Sequence, residues 1–354
     1  MLLDLIQISL GHKSQFCCQI LAKEWNHLYN ESIRQTVAGI CFEGVQKLPK
    51  EQCPPQKLLF QWLALTEQIK HQNNSVNMVL TELAQLLNEQ QIKYAVVKGQ
   101  IVGSYYPNPC LRQAGDIDFL VDEDDFERTK QLLEKEWHIA FHETEGHHHI
   151  EFEYKGIPLE QHRKLIKLYD KRKEDYWDAL VKQSYDKQLI NGVEVATLSP
   201  TIHSLYIFLH LYHHLLELGV GLRQFVDWTM IRHTCQQKIE HEAIKQHLKV
   251  LGMERAYRAC GAILVDKLGL PAEEFTYQLN NSDRKYAERI LNVVEYRGNM
   301  GHYNLKGGSH GMWHNIEATC IKVAHFMKFM PLAPAFSCGW LTAELKRKIS
   351  RKLK

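Results

Sequence analysis

Apolar positions recur at spacings of three and four through the first third of the chain, around residues 16–28 and again around 57–69, and this period predicts helices. Pro54-Pro55 separates the two stretches. Val76, Val79, Leu80, Leu83, Leu86 and Leu87 line one face of a further amphipathic helix, with Asn73, Asn74 and Ser75 as expected caps. The character changes at Ile92. Residues 93–97 are short, apolar and β-prone and read as a buried strand, which Lys98-Gly99 ends. A short helix is expected over 100–106, a second strand over 116–121 and a second helix over 124–137.

A hairpin follows. Ile150, Phe152 and Tyr154 alternate with His149, Glu151 and Glu153, Lys155-Gly156 makes a turn, and residues 157–162 return. A two-residue turn sets Glu151 opposite Glu160 and His149 opposite His162 on one face, and Ile150, Phe152, Ile157 and Leu159 on the other. Pro158 suggests an edge strand. From Ser199-Pro200 the chain reads as helical again, over 202–218, 222–233, 240–251, 254–268, 282–297, 312–330 and 341–353. The pattern therefore predicts an α+β chain, short strands and a hairpin flanked by N- and C-terminal helical regions. The expected divisions are a helical region 1–84, a sheet-containing core 85–195 and a helical domain 196–354.

Composition narrows the function classes. Lys plus Arg number 43 and Asp plus Glu 41, so no global basic field draws the protein onto nucleic acid. Nine cysteines, none in a C-x-x-C pair, argue against a zinc knuckle or a disulfide framework and read as reduced, mostly buried residues. The N-terminus lacks a signal-peptide pattern and no run reaches the ~20 apolar residues of a membrane span, so a cytoplasmic protein is expected.

Candidate chemistry centres on Asp116 and Asp118. Two apart on a strand, they project side by side, and adjacent carboxylates repel unless a cation neutralises them. A divalent ion such as Mg²⁺ does this while also binding substrate phosphates. The returning hairpin strand makes Glu160 the expected third acid. Lys98 and Gly99 end the first strand, where glycine lets a phosphate approach the backbone closely. Arg112 can pair with the acids or with a phosphate. His162, paired with His149, can contact phosphate or an acceptor. Arg223, four residues before Asp227, forms an ordinary helix ion pair or reaches a triphosphate. His210 and His214 read as packed histidines rather than ligands. The last nine residues hold six basic ones, whose helix can lie weakly on an anionic surface.

The stretch Val97-Lys98-Gly99, Tyr105-Tyr106-Pro107, Arg112, Gly115-Asp116-Ile117-Asp118-Phe119-Leu120-Val121 and Leu159-Glu160-Gln161-His162, with Arg223 and Asp227 downstream, resembles the nucleotidyltransferase-fold superfamily, in particular a bacterial group of uncharacterised nucleotidyltransferases. The strong part covers residues 85–165. The resemblance implies a small mixed sheet with helices packed against it, with Asp116, Asp118 and Glu160 as metal ligands and Gly99 in a phosphate loop. It implies an enzyme that uses Mg²⁺ or Mn²⁺ to transfer a nucleotidyl group from an NTP to an acceptor hydroxyl on a small molecule, a protein or tRNA. Related readings are a toxin-like enzyme modifying tRNA or protein, and a non-catalytic nucleotide-binding scaffold. The sequence departs from the superfamily at the loop, where Lys98-Gly99-Gln100 replaces Gly-Ser or Gly-Gly.

Overall fold

The structure, a computed structural model, describes residues 1–139, 141, 149–217, 219–297 and 323–353, without the side chains of 297 and 344–353. Two compact units divide the chain: Met1–Leu165 with Val181–His203, and Ile166–Leu180 with Ser204–Lys354.

The first unit opens with α1 (Leu2–Ser9), α2 (Ala22–Arg34), α3 (Ala38–Lys47) and the long α4 (Gln56–Glu89). Helix α2 begins six residues later than its apolar spacing suggests. Trp25 and Trp62 meet edge to face with centroids 6.3 Å apart, and the Trp62 indole N–H donates to the Ala38 carbonyl at 2.8 Å. Asn73 is not a cap: α4 runs through it without interruption. Its amide instead donates to the carbonyls of Cys110 and Arg112, at 2.8 and 2.7 Å. A buried amide on an apolar helix face needs such partners, and here they fix the loop ahead of Asp116.

That loop also presses on α3. A Cβ at Gly39 would lie 2.4 Å from the Leu111 carbonyl oxygen, a backbone atom with little freedom to move. Gly39→Ala is therefore expected to destabilise the first unit by about 2 kcal/mol through overpacking, read as a lower urea midpoint with unchanged slope. A wild-type midpoint would show that helix and loop can separate.

The sheet has order β1-β2-β4-β3, from β1 (Tyr94–Val97), β2 (Ile117–Val121), β3 (His149–Tyr154) and β4 (Ile157–His162). β1 pairs antiparallel with β2, β2 parallel with β4, and β4 antiparallel with β3. The hairpin register is the expected one, with Glu151 opposite Glu160 and His149 opposite His162. Lys155 and Gly156 both take positive φ, 52° and 75°, as a tight type I′ turn demands. Pro158 does not mark an edge, because β4 is internal and β3 is the edge strand. It is tolerated because the β2–β4 ladder starts one residue later, at Leu159, so no ladder donor is lost. Val76, Val79, Leu80, Leu83, Ala84 and Leu87 of α4 pack on one sheet face against Val96, Ile117, Phe119, Phe152, Ile157 and Leu159. Helix α5 (Gly99–Gly103) follows β1, and α6 (Glu123–Trp137) lies between β2 and β3.

A second hairpin, β5 (Tyr185–Ile190) and β6 (Val193–Leu198), is absent from the sequence expectation. Its signal was present: Asn191-Gly192 between alternating residues, with φ of 47° and 80°, is a type I′ turn. The Thr197 hydroxyl donates to the Val96 carbonyl at 2.7 Å, tying β6 to β1. Helix α7 (Lys171–Lys182) was also unforeseen.

The second unit is helical. It contains α8 (Pro200–Glu217) from Ser204 onward, α9 (Leu222–Thr234), α10 (His241–Leu251), α11 (Glu254–Leu268) and α12 (Asn281–Arg297), close to the expected bounds. Phe208, Trp228 and Tyr257 form its aromatic centre, with centroids 5.0 to 5.4 Å apart. Residues 312–322 of the expected helix 312–330 lie outside the described ones, as do His147, His148 and the side chains of the basic tail. The eight cysteines described are free, and three of them are buried, fewer than their composition suggests. No described helix is long and apolar enough to cross a membrane.

Candidate active site

The strand pattern dictates where the acids point. Alternate residues of β2 face opposite ways, so Ile117, Phe119 and Val121 enter the core beneath α4 and Asp118 faces the other side. Asp116, immediately before β2, shares that side. The parallel β2–β4 register sets Glu160 directly beside Asp118. Carboxylate oxygens of Asp116, Asp118 and Glu160 come within 4.8 Å of one another.

Asp118 is the hub of the cluster. It is 2% exposed, with the Lys98 ammonium 2.8 Å from one oxygen and His162 Nε2 3.0 Å from the other. The same His162 nitrogen lies 3.3 Å from Glu160 Oε2. Burial alone would raise the Asp118 carboxyl, but Lys98 and His162 outweigh it and hold the group well below the usual carboxylate range. The His162 hydrogen bond lowers Glu160, against burial and the Asp118 charge. Burial disfavours charged His162, yet its bonds to Asp118 and Glu160 prevail and raise its pKa. Asp116 goes the opposite way: burial first, then the Asp118 charge, push it upward. A carboxylate raised by burial and by a neighbouring negative charge is one that a cation would stabilise.

Lys98 and Gly99 form the corner between β1 and α5 (Gly99–Gly103). Lys98 holds φ 55° and ψ −137°, a conformation costing a non-glycine residue about 1–3 kcal/mol. It is held there by its ammonium on Asp118 and by its backbone N–H, which donates to His203 Nε2 at 2.9 Å. Gly99 also has positive φ, 40°, and a Cβ there would meet the Asp116 carbonyl oxygen at 3.4 Å. Gln100 is tied to Asn77 of α4 at 2.6 Å.

The other expected site residues are placed as follows. Arg112 is buried, its stem packed over Gly103 and its carbonyl held by Asn73. Arg223 lies on α9 in the second unit, with Asp227 buried one turn on. His149 faces His162 across the hairpin, ring centroids 5.1 Å apart. His213 and His214 pair with Glu217 on α8, at 3.4 and 3.8 Å, and His210 stacks edge to face on His214. Among the described residues, both clusters able to hold an ion contain Glu160. Sequence reasoning missed Asn73 and His203 as braces of the site. A polar residue inside an apolar helix stripe was the available sign for Asn73.

A small mixed sheet with its acids gathered on one face, flanked by helices, is the α+β architecture of a nucleotidyltransferase. The chain belongs to the family of uncharacterised nucleotidyltransferases, whose model matches residues 22–268, and membership makes it a transferase enzyme. No curated protein matches the sequence. Among solved structures, an antigenic nucleotidyltransferase-like protein from Paracoccidioides brasiliensis is similar at 17% identity, covering 58% of this chain and 98% of that one with a TM-score of 0.36. At that score the two share too little geometry for function to carry over.

Proposed function

We propose that the chain binds a nucleoside triphosphate together with Mg²⁺ or Mn²⁺ and transfers the nucleotidyl group to an acceptor hydroxyl. The observation that carries this reading is the convergence of Asp116, Asp118 and Glu160 from neighbouring strands onto one sheet face. Their donor set is all carboxylate oxygen, which suits a hard divalent cation, and the raised Asp116 carboxyl fits a site that gains from one. A bound divalent ion would supply charge neutralisation for the triphosphate and acidify the attacking hydroxyl. Glu160 is the group that accepts the hydroxyl proton. The acceptor oxygen bonds to the α-phosphorus, the bond to the bridging oxygen breaks and pyrophosphate leaves. Lys98 and the Gly99 backbone meet the phosphates, Gly99 because it lacks a side chain at a close approach. Arg112 and His162 are further candidates for nucleotide contact, and the acceptor can be a small molecule, a protein or tRNA.

Calorimetry tests this directly. Each NTP is titrated with Mn²⁺ into wild type and into Asp116→Asn/Asp118→Asn. Affinity is expected to fall at least ~100-fold in the double variant, the loss of two charged contacts at roughly 1.4 kcal/mol per factor of ten. Equal binding and equal NTP turnover in both proteins would remove the pair from this role.

A further inference from the structure

We propose that His149, Glu160 and His162 form a second metal site beside the three-carboxylate cluster, one that takes a divalent first-row transition ion in preference to Mg²⁺. Ligand atoms of the three side chains lie within 4.8 Å of one another. Their placement follows from the hairpin: His149 is the direct cross-strand partner of His162, and Glu160 lies two residues before His162 on the same face. His162 Nε2 and Glu160 Oε2 are 3.3 Å apart. Two neighbouring ligands on one ion, each about 2.1 Å from it, stand about that far from each other. The ion would take the place of the proton that His162 Nε2 shares with Asp118 Oδ1, at 3.0 Å, and with Glu160.

The surroundings of His149 support the assignment. Its Nε2 lies 3.0 Å from Glu151 Oε1. A carboxylate on one imidazole nitrogen is the arrangement that orients a ligating histidine and fixes its tautomer. Two imidazoles and one carboxylate favour transition ions over Mg²⁺, which demands oxygen ligands and gives up water reluctantly. Both histidines are shielded without being sealed off: the side chain of His149 is 27% exposed and that of His162 9%. Glu160 belongs to both clusters, so the two ions would be neighbours. The site stands on its own donors, whether or not a nucleotide binds beside it.

Mn²⁺ reports on the donor set, because pulsed electron paramagnetic resonance detects coupling to imidazole nitrogen and carboxylates give none. The full chain, stripped of metal and kept reduced, is saturated with Mn²⁺. Wild type is expected to show ¹⁴N coupling. His149→Ala, and the milder His149→Gln, should each lose at least half of it and bind Mn²⁺ at this site ~10-fold or more weakly. Asp116→Asn, which leaves Asp118 on His162, should keep the coupling, which separates this site from the carboxylate cluster. No nitrogen coupling in wild type, or the same coupling in both His149 variants, would overturn the assignment.

Discussion

Asp118→Asn is expected to destabilise the metal-free first unit by about 3 kcal/mol, whereas Asp116→Asn leaves it as stable or slightly more so. The two aspartates are two residues apart and bear the same charge, so the difference comes from their partners. Neutralising Asp118 removes the counter-charge of Lys98 and His162 at a site 2% exposed, and breaking a buried pair leaves charges stranded. Asp116 is buried beside the Asp118 charge and lies above its ordinary pKa, so losing its charge removes a desolvation cost and relieves repulsion.

The pH dependence has matching signs. Asp118 is depressed in the folded protein, so its contribution is present above its unfolded value of about 3.9 and is lost as pH falls toward the folded value. Asp116 is raised, so its ionisation costs stability as pH climbs from about 3.9 through its folded value. His162 is also raised, and what its charge contributes is complete below about pH 6.5 and fades as pH rises through its folded value. Urea unfolding in EDTA between pH 3 and 8 reads these effects. Asp118→Asn should flatten the acid limb and Asp116→Asn should not. Equal destabilisation by both substitutions would show that the asymmetry between them is not electrostatic.

Lys98→Met should tighten binding of Mg²⁺ or Mn²⁺ alone by ~10-fold and weaken binding of the metal–nucleotide complex by a similar factor, about 1.4 kcal/mol each way. The ammonium lies 2.8 Å from Asp118 Oδ2, where it stands in for a divalent ion. An incoming ion must displace it, so removing it removes a competitor. Once displaced, Lys98 has the strained corner beside Gly99 as its base, and a triphosphate is the anion it can turn to. Methionine keeps the stem length and its packing. Calorimetry with metal alone and with metal plus NTP gives both numbers. A shift of the same sign in the two titrations would show that Lys98 does not move from one charge to the other.

Much of this arrangement is local and was legible in the sequence. Two-residue alternation in residues 149–162, with Lys155-Gly156 between, fixed the hairpin register and so the pairing of Glu151 with Glu160 and His149 with His162. The apolar stripe of Val76–Leu87 marked the helix face that covers the sheet, and its one buried amide, Asn73, was misread as a cap because capping preference is a statement about isolated helix ends. The hairpin at Asn191-Gly192 carried a readable turn and was passed over. Pro158 misled because the edge preference of proline is waived where the neighbouring ladder has not yet begun.

The sequence by itself determined which way each side chain faces, because helix and strand periods are properties of a few consecutive residues. It thereby set Asp116 and Asp118 on one side of their strand, and Glu160 and His162 on one side of theirs. Only the tertiary structure decided that those two strands lie next to each other in parallel, that Lys98 reaches Asp118, and that His203 holds the backbone of Lys98. Strand order and long-range pairing depend on how whole elements bury their apolar faces together, a balance spread over the chain that no short window contains.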